Sequence, residues 1–153
     1  MDQYINTLKE ISENLDSKRE KQLEVPIFLR LLHKLNESEN ADKVNDSETL
    51  QLIETAITSL KNIAGHDRMT YKLYKRSLTK LRSHLVKKYG FYAAGALKAQ
   101  YSGFGLTLGT AIGIALSRGN SSFLALGISL GLVFGVSIGT QKEKEAEKGN
   151  KLY

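Results

Sequence analysis

His33, His66 and His84 are the side chains best suited to metal ligation or proton transfer near neutral pH in this 153-residue sequence. Either chemistry needs a histidine spaced from another, or from an acid, so that one helix face or turn brings both groups together. No such spacing is present: His66 and His84 fall where a solvated surface is expected, and His33, beside Leu31 and Leu32, is expected to pack. Glu10, Glu13 and Glu54 sit at ordinary helix-surface positions, and no Ser–His–Asp arrangement is visible. The chain has no cysteine, which excludes thiolate nucleophiles, disulfides and cysteine-based zinc sites. Glycines are frequent late in the chain, yet apolar residues separate them and no Lys-Ser or Lys-Thr follows, so they do not form a phosphate-cradling loop. These residues point away from an enzyme, and they offer no catalytic, cofactor-binding or metal site.

The glycines carry a different chemistry. Gly105, Gly109 and Gly113 are four residues apart, and Ser117 continues the row; Gly127, Gly131, Gly135 and Gly139 repeat it. On a helix, residues four apart share one face. Glycine inside a helix in water is about 1 kcal/mol less favourable than alanine, so seven of them argue against two ordinary soluble core helices. In lipid there is no hydrophobic drive between helices, and a groove of small residues lets two backbones approach closely. Leu106, Leu108, Ile112, Ile114, Leu116, Leu124, Leu126, Ile128, Leu130, Leu132, Val133 and Phe134 fill the intervening positions, which argues against a flexible glycine linker. Residues 99–117 and 119–141 carry no charge apart from Arg118 between them. Each run matches the roughly 20 residues that a helix needs to cross a bilayer. The short polar turn at 118–122 predicts antiparallel neighbours, with spans at about 99–117 and 121–141.

This part of the chain, roughly Tyr101 to Thr140, resembles the bacterial glycine-zipper membrane proteins, whose signature is tandem GxxxGxxxG in a membrane hairpin. The resemblance implies a helix-packing device. A second row of small residues lies about 200° round each helix from the glycines. It comprises Gly103, Thr107, Ala111 and Ala115 in the first span, and Ser121, Ala125, Ser129 and Ser137 in the second. It predicts a face for a neighbouring copy, hence a homo-oligomer, unless the hydroxyls merely bond their own helix carbonyls.

Charge is unevenly divided behind a formal net charge of +6. The first 64 residues hold eight lysines and arginines against twelve acids; the remainder holds fourteen against four. Lys72, Lys75, Arg76, Lys80, Arg82, Lys87 and Lys88 crowd one predicted helix together with Arg68, and Lys98 precedes the first span. Immediately before a span, such a cluster is expected to meet anionic lipid headgroups at the membrane surface. A nucleic-acid partner is disfavoured because no recognition motif accompanies the charges. Lys142, Lys144, Lys148 and Lys151 follow the second span, whereas the turn between spans has Arg118 alone. Excess positive charge on short loops favours the cytoplasmic side. The expectation is therefore a two-span protein of the inner, cytoplasmic membrane with both termini in the cytoplasm and no signal peptide. Tyr89, Phe91, Tyr92 and Tyr101 suit the membrane interface. No ionisable residue lies inside either span, which disfavours transporters, pumps and voltage sensors.

Helices must position all of this. Tyr4, Leu8, Ile11 and Leu15 predict a helix over about 3–21, and Pro26 opens another over 27–35. Residues 36–46 read as a loop, and Asp46 or Ser47 caps a third helix with Leu50, Ile53, Ile57, Leu60 and Ala64 on one face, ended by Gly65. A fourth, about 67–88, carries Tyr71, Tyr74, Leu78, Leu81 and Leu85 in heptad spacing. The fold class is all-α: a small cytoplasmic helical bundle or hairpin over 1–90, a juxtamembrane segment at 91–98, a transmembrane hairpin over 99–141 and a charged, mobile tail over 142–153. Two functions fit. One is a self-associating membrane protein that perturbs the bilayer, as a toxin, holin-like protein or defence effector would. The other is a membrane-anchored adaptor or scaffold whose helical region binds an unidentified cytoplasmic protein.

Overall fold

The computed structural model describes residues 1–37, 44, 46–63, 68–117 and 121–153. Among these the protein is all-α, with seven helices that divide into two compact units, residues 1–91 with Tyr153, and residues 92–152.

The first unit holds α1 (Asp2–Glu13), α2 (Ser17–Gln22), α3 (Val25–Asn36), α4 (Ser47–Lys61) and α5 (Arg68–Tyr89). The single helix expected over 3–21 is in fact α1 and α2. The chain leaves the helix at Asn14, whose side-chain amide donates to the Glu10 carbonyl, and restarts at Asp16, whose carboxylate accepts from the Arg19 N–H at 2.8 Å. Asn and Asp favour such local bonds over helix interior, and that competition outweighs the apolar spacing. Pro26 sits in the first turn of α3, as its missing N–H requires. Asp46 caps α4 by accepting from the Thr49 N–H at 3.0 Å. That helix ends at Lys61, earlier than expected; Ala64 and Gly65, the expected stop, lie outside the described residues, as do His66 and most of the expected 36–46 loop.

The core of this unit draws on the expected faces of α1, α4 and α5, where Tyr4, Ile11, Leu15, Leu50 and Tyr71 are only partly buried, and on α3, for which no buried face was expected. Leu8, Phe28, Leu31, Leu32, Leu35, Ile53, Tyr74, Leu78, Leu81 and Leu85 are buried within it. The start of α4 meets the end of α5, since the Thr49 hydroxyl lies 2.9 Å from His84 Nε2, so the two helices are antiparallel. Tyr74 is fully buried and its hydroxyl donates to the Leu23 carbonyl at 2.7 Å, tying α5 to the α2–α3 corner. Burial pushes the Tyr74 phenol well above its ordinary range. Tyr153 packs against the same core.

The second unit is a pair of helices, α6 (Ala96–Ser117) and α7 (Ser121–Lys148). The charged segment expected to be mobile is instead largely helical, since α7 continues to Lys148. Beyond it, Lys151 donates its N–H to the Ala146 carbonyl and accepts from the Tyr92 N–H, both at 2.9 Å. Gly95, at φ +84°, donates its N–H to the Glu143 carboxylate. One described helix, α7, is long and apolar enough to cross a membrane, and 11% of its apolar window is buried within the protein, unlike the core helix of a soluble fold. α6 begins at a more polar stretch that includes Lys98, Gln100 and Ser102.

Candidate membrane-insertion element and basic face

α6 and α7 touch through their glycines. A Cβ added at Gly105 would lie 2.8 Å from the Gly135 Cα, and one at Gly109 2.9 Å from the Gly131 Cα. At Gly127 the obstacle is the Gly113 Cα at 2.8 Å, at Gly131 the Gly109 Cα at 2.8 Å, and at Gly139 the Lys98 Cα at 2.8 Å. Gly113 meets the Leu124 Cα at 2.9 Å, and Gly135 the Ser102 Cα at 3.0 Å. Rising position in one helix matches falling position in the other, so the pair is antiparallel. Backbone faces backbone at each of these seven positions, and no side chain larger than hydrogen fits there without the helices moving apart.

The outside of the pair is the reverse of a soluble protein. Phe104, Leu108, Ile112, Ile114, Leu116, Phe123, Leu126, Leu130, Val133, Phe134 and Ile138 are all exposed. Soluble monomers seldom leave contiguous apolar area of more than a few hundred Å² uncovered. Along one side, Phe104, Leu108 and Ile112 face Leu130, Phe134 and Ile138 across a glycine floor, forming an apolar groove of about 600 Å³. The second row of small residues is exposed as well, and nothing lies within 4 Å of a Cβ built at Gly103. Its hydroxyls bond their own helices: Thr107 to the Gly103 carbonyl, Ser129 to Ala125 and Ser137 to Val133, at 2.8–2.9 Å.

The first unit sorts the basic residues of α5 into two groups. Lys75 and Arg82 both reach the Glu24 carboxylate, Arg82 at 2.5 Å, from the flank of the buried face. Burial disfavours charge on Glu24, but the bonds from Lys75 and Arg82 outweigh it and hold its carboxyl below the ordinary value. Lys88 pairs with Asp46 at 2.9 Å, which raises the lysine's affinity for its proton. Arg68, Lys72, Arg76, Lys80 and Lys87 are exposed, and so is Lys98 in the second unit.

Sequence reasoning missed one polar cluster. Asp46 Oδ2 accepts from the Thr49 hydroxyl at 2.7 Å and from the Tyr89 hydroxyl, while Oδ1 takes the Thr49 N–H and Lys88. Burial works against its charge, yet these donors hold the carboxyl well below the usual carboxylate range. His84 lies at this junction rather than on a solvated surface. Its Nδ1 is 3.6 Å from Glu48, and its ring meets Tyr89 edge-on. His33, expected to pack, is exposed. Asp46, Glu48 and His84 place ligand atoms within 4.8 Å of one another, close enough to suggest a cation site. Both Asp46 oxygens are already committed, however, and a cation would sit against the positive N-terminal end of α4. The cluster therefore works as a helix cap that clasps α4 to α5. Glu48 and His84 are 36 residues apart, and only the antiparallel pairing of two helices brings them together.

No protein-family model, curated protein or solved structure matches the chain.

Proposed function

We propose that the protein is an integral membrane protein of the inner membrane, anchored by α6 and α7 as two antiparallel spans with both termini in the cytoplasm. The anchor holds the helical bundle at the membrane as an adaptor or scaffold for a cytoplasmic protein. One observation carries this reading: glycine lies inside the helix pair and large apolar side chains lie outside it. A pair folded for water would bury those side chains and expose the polar ones. Lipid removes that drive, and close backbone approach takes its place. Two adjacent spans with no charge and a sealed glycine seam enclose no lumen, which favours an anchor over a conduit.

A second reading, self-association that perturbs the bilayer, is supported by the exposed row of Gly103, Thr107, Ala111 and Ala115. The glycine rows are occupied within the chain, so a neighbouring copy would have to use this other face.

Carbonate extraction of membranes tests the anchor, with retention in the pellet as the expected outcome. In the cysteine-free chain, a probe cysteine at Ser121 should react with an impermeant thiol reagent from outside intact cells, and one at Lys148 should not. Release by carbonate would overturn the anchor, and reversed labelling would overturn the orientation. Membrane potential separates the two readings: the adaptor leaves it intact on expression, whereas a perturbing assembly collapses it.

A further inference from the structure

α5 has eight lysines and arginines and no acid, and the fold uses only some of them. Lys75, Arg82 and Lys88 are paired with Glu24 and Asp46. At 100° per residue, Lys72, Arg76, Lys80 and Lys87 fall within an arc of about 80°, and Met69 and Leu73 extend it to about 100°. This stripe is centred roughly 160° from the buried row of Tyr74, Leu78, Leu81 and Leu85. Met69 is 66% exposed and Leu73 52%, the two large exposed hydrophobics among the described residues of the first unit.

From this arrangement we infer that the α5 face of Lys72, Arg76, Lys80 and Lys87 docks the bundle on an anionic bilayer surface, with Met69 and Leu73 entering the headgroup layer. The inference rests on the membrane-anchor reading and adds an orientation to it. Three observations select a bilayer as the occupant. The charge is of one sign and lies in a line along a helix, which suits a plane of anionic headgroups. The two exposed apolar side chains share that face, as in helices that lie in the interfacial plane. The segment at 90–95 joins α5 directly to α6, so an inserted α6 keeps this face at an effective membrane concentration on the order of millimolar. Nucleic acid would match the charge, but it has no use for paired aliphatic side chains on the contact face, where stacking proteins place aromatics.

The test uses the full chain in liposomes, with an environment-sensitive fluorophore on a single cysteine at Ser83, an exposed position within the stripe. A second single-cysteine variant, at Leu132, reports insertion of α7. The Ser83 probe should shift to the blue and be quenched by headgroup-linked quenchers when phosphatidylglycerol is present, but not in pure phosphatidylcholine, and high salt should reverse the effect. The triple substitution Lys72→Gln, Arg76→Gln, Lys80→Gln should lower the docked-to-free ratio roughly a hundredfold, about fivefold per charge removed. Met69→Ser with Leu73→Ser should reduce quenching while leaving the salt dependence in place. Equal emission in both lipids, or no response to the triple substitution, overturns the docking face. So does a shift produced in phosphatidylcholine liposomes by added duplex DNA, which would make the stripe a nucleic-acid surface. A Leu132 probe that stays unquenched by quenchers linked to the lipid acyl chains, while the Ser83 probe responds, would remove the anchor and leave the docking standing.

Discussion

Gly131→Ala and Gly103→Ala make the same chemical change in two helices of one pair, yet the structure predicts opposite outcomes. A Cβ at Gly131 would lie 2.8 Å from the Gly109 Cα and closer still to the Gly105 carbonyl, whereas ordinary contact begins at 3.4 Å. The backbones must retreat by about 0.6 Å to clear the Gly109 Cα and by more than that to clear the Gly105 carbonyl. Neither obstacle is a side chain that could swing aside. A gap of ~0.5–1 Å forfeits a quarter to a half of each dispersion contact it opens. Overpacking of this kind costs about 1–3 kcal/mol. Replacing glycine by alanine within a helix returns roughly 1 kcal/mol, so Gly131→Ala should leave the pair about 0–2 kcal/mol less stable. At Gly103 nothing lies within 4 Å, and only the gain remains. The difference between the two variants cancels the propensity term and isolates the seam: about 1–3 kcal/mol, or roughly 5–150-fold in the folded-to-unfolded ratio. The assay is a titration of micelles with denaturing detergent, read by energy transfer between probes on cysteines at Leu106 and Leu126, both exposed. Gly131→Leu extends the series: a whole isobutyl group should part the helices while insertion survives, since the span becomes more apolar. Leu132→Ile, at an exposed position, should change little. Coincident transitions for Gly131→Ala and Gly103→Ala would refute the reasoning, because the seam would then carry no packing energy.

Two further outcomes follow for the bundle. Tyr74→Phe removes a buried hydroxyl and leaves the Leu23 carbonyl without that donor, so the first unit should lose about 1–2 kcal/mol, measured as faster hydrogen exchange of α5 amides in the full chain. Glu24 and Asp46 are both held below their ordinary values of 4.5 and 3.8, so they stabilise the folded unit above those values and lose that contribution as pH falls through their lower folded-state values. Exchange protection of the first unit should therefore be flat from about pH 7 to 5 with respect to these groups and decline below about 4.5. Asp46→Asn should blunt the decline, and an unchanged acid profile in that variant would mean the clasp at the start of α4 is not an ionic one.

The parts of this protein that were legible in its sequence are those in which residue type and spacing act along a single helix. The glycine rows are an example. Four-residue spacing places Gly127, Gly131, Gly135 and Gly139 on one face whatever surrounds them, and only another backbone fits closely there. The heptad positions of α5 work similarly: Tyr74, Leu78, Leu81 and Leu85 share a face by helix geometry alone, and that face is buried. Boundaries were less legible because they turn on competition between apolar spacing and local polar bonds. At Asn14 and Asp16 the side-chain bonds won and one expected helix became two.

Clusters between helices were not legible at all. Glu24, Lys75 and Arg82 span 58 residues, and nothing in the order of the chain says which of eight cations on α5 an acid in a tight corner will capture. Glu24 sits at φ +57°, where a glycine would be the ordinary choice, so a corner that aims a carboxylate at α5 looks from the sequence like an unremarkable glutamate. The consequence reaches the functional reading. Taken as a count, the basic residues of α5 are one undivided patch. Sorted by their partners, three of the eight hold the bundle together, four exposed ones run along one line beside Met69 and Leu73, and Arg68 lies exposed at the start of the helix, outside that line. Removing a cation from the first group should therefore weaken the fold, and removing one from the second should weaken membrane contact. That division depends on which acids the fold brings to α5, and it is what turns a net positive charge into a face with a direction.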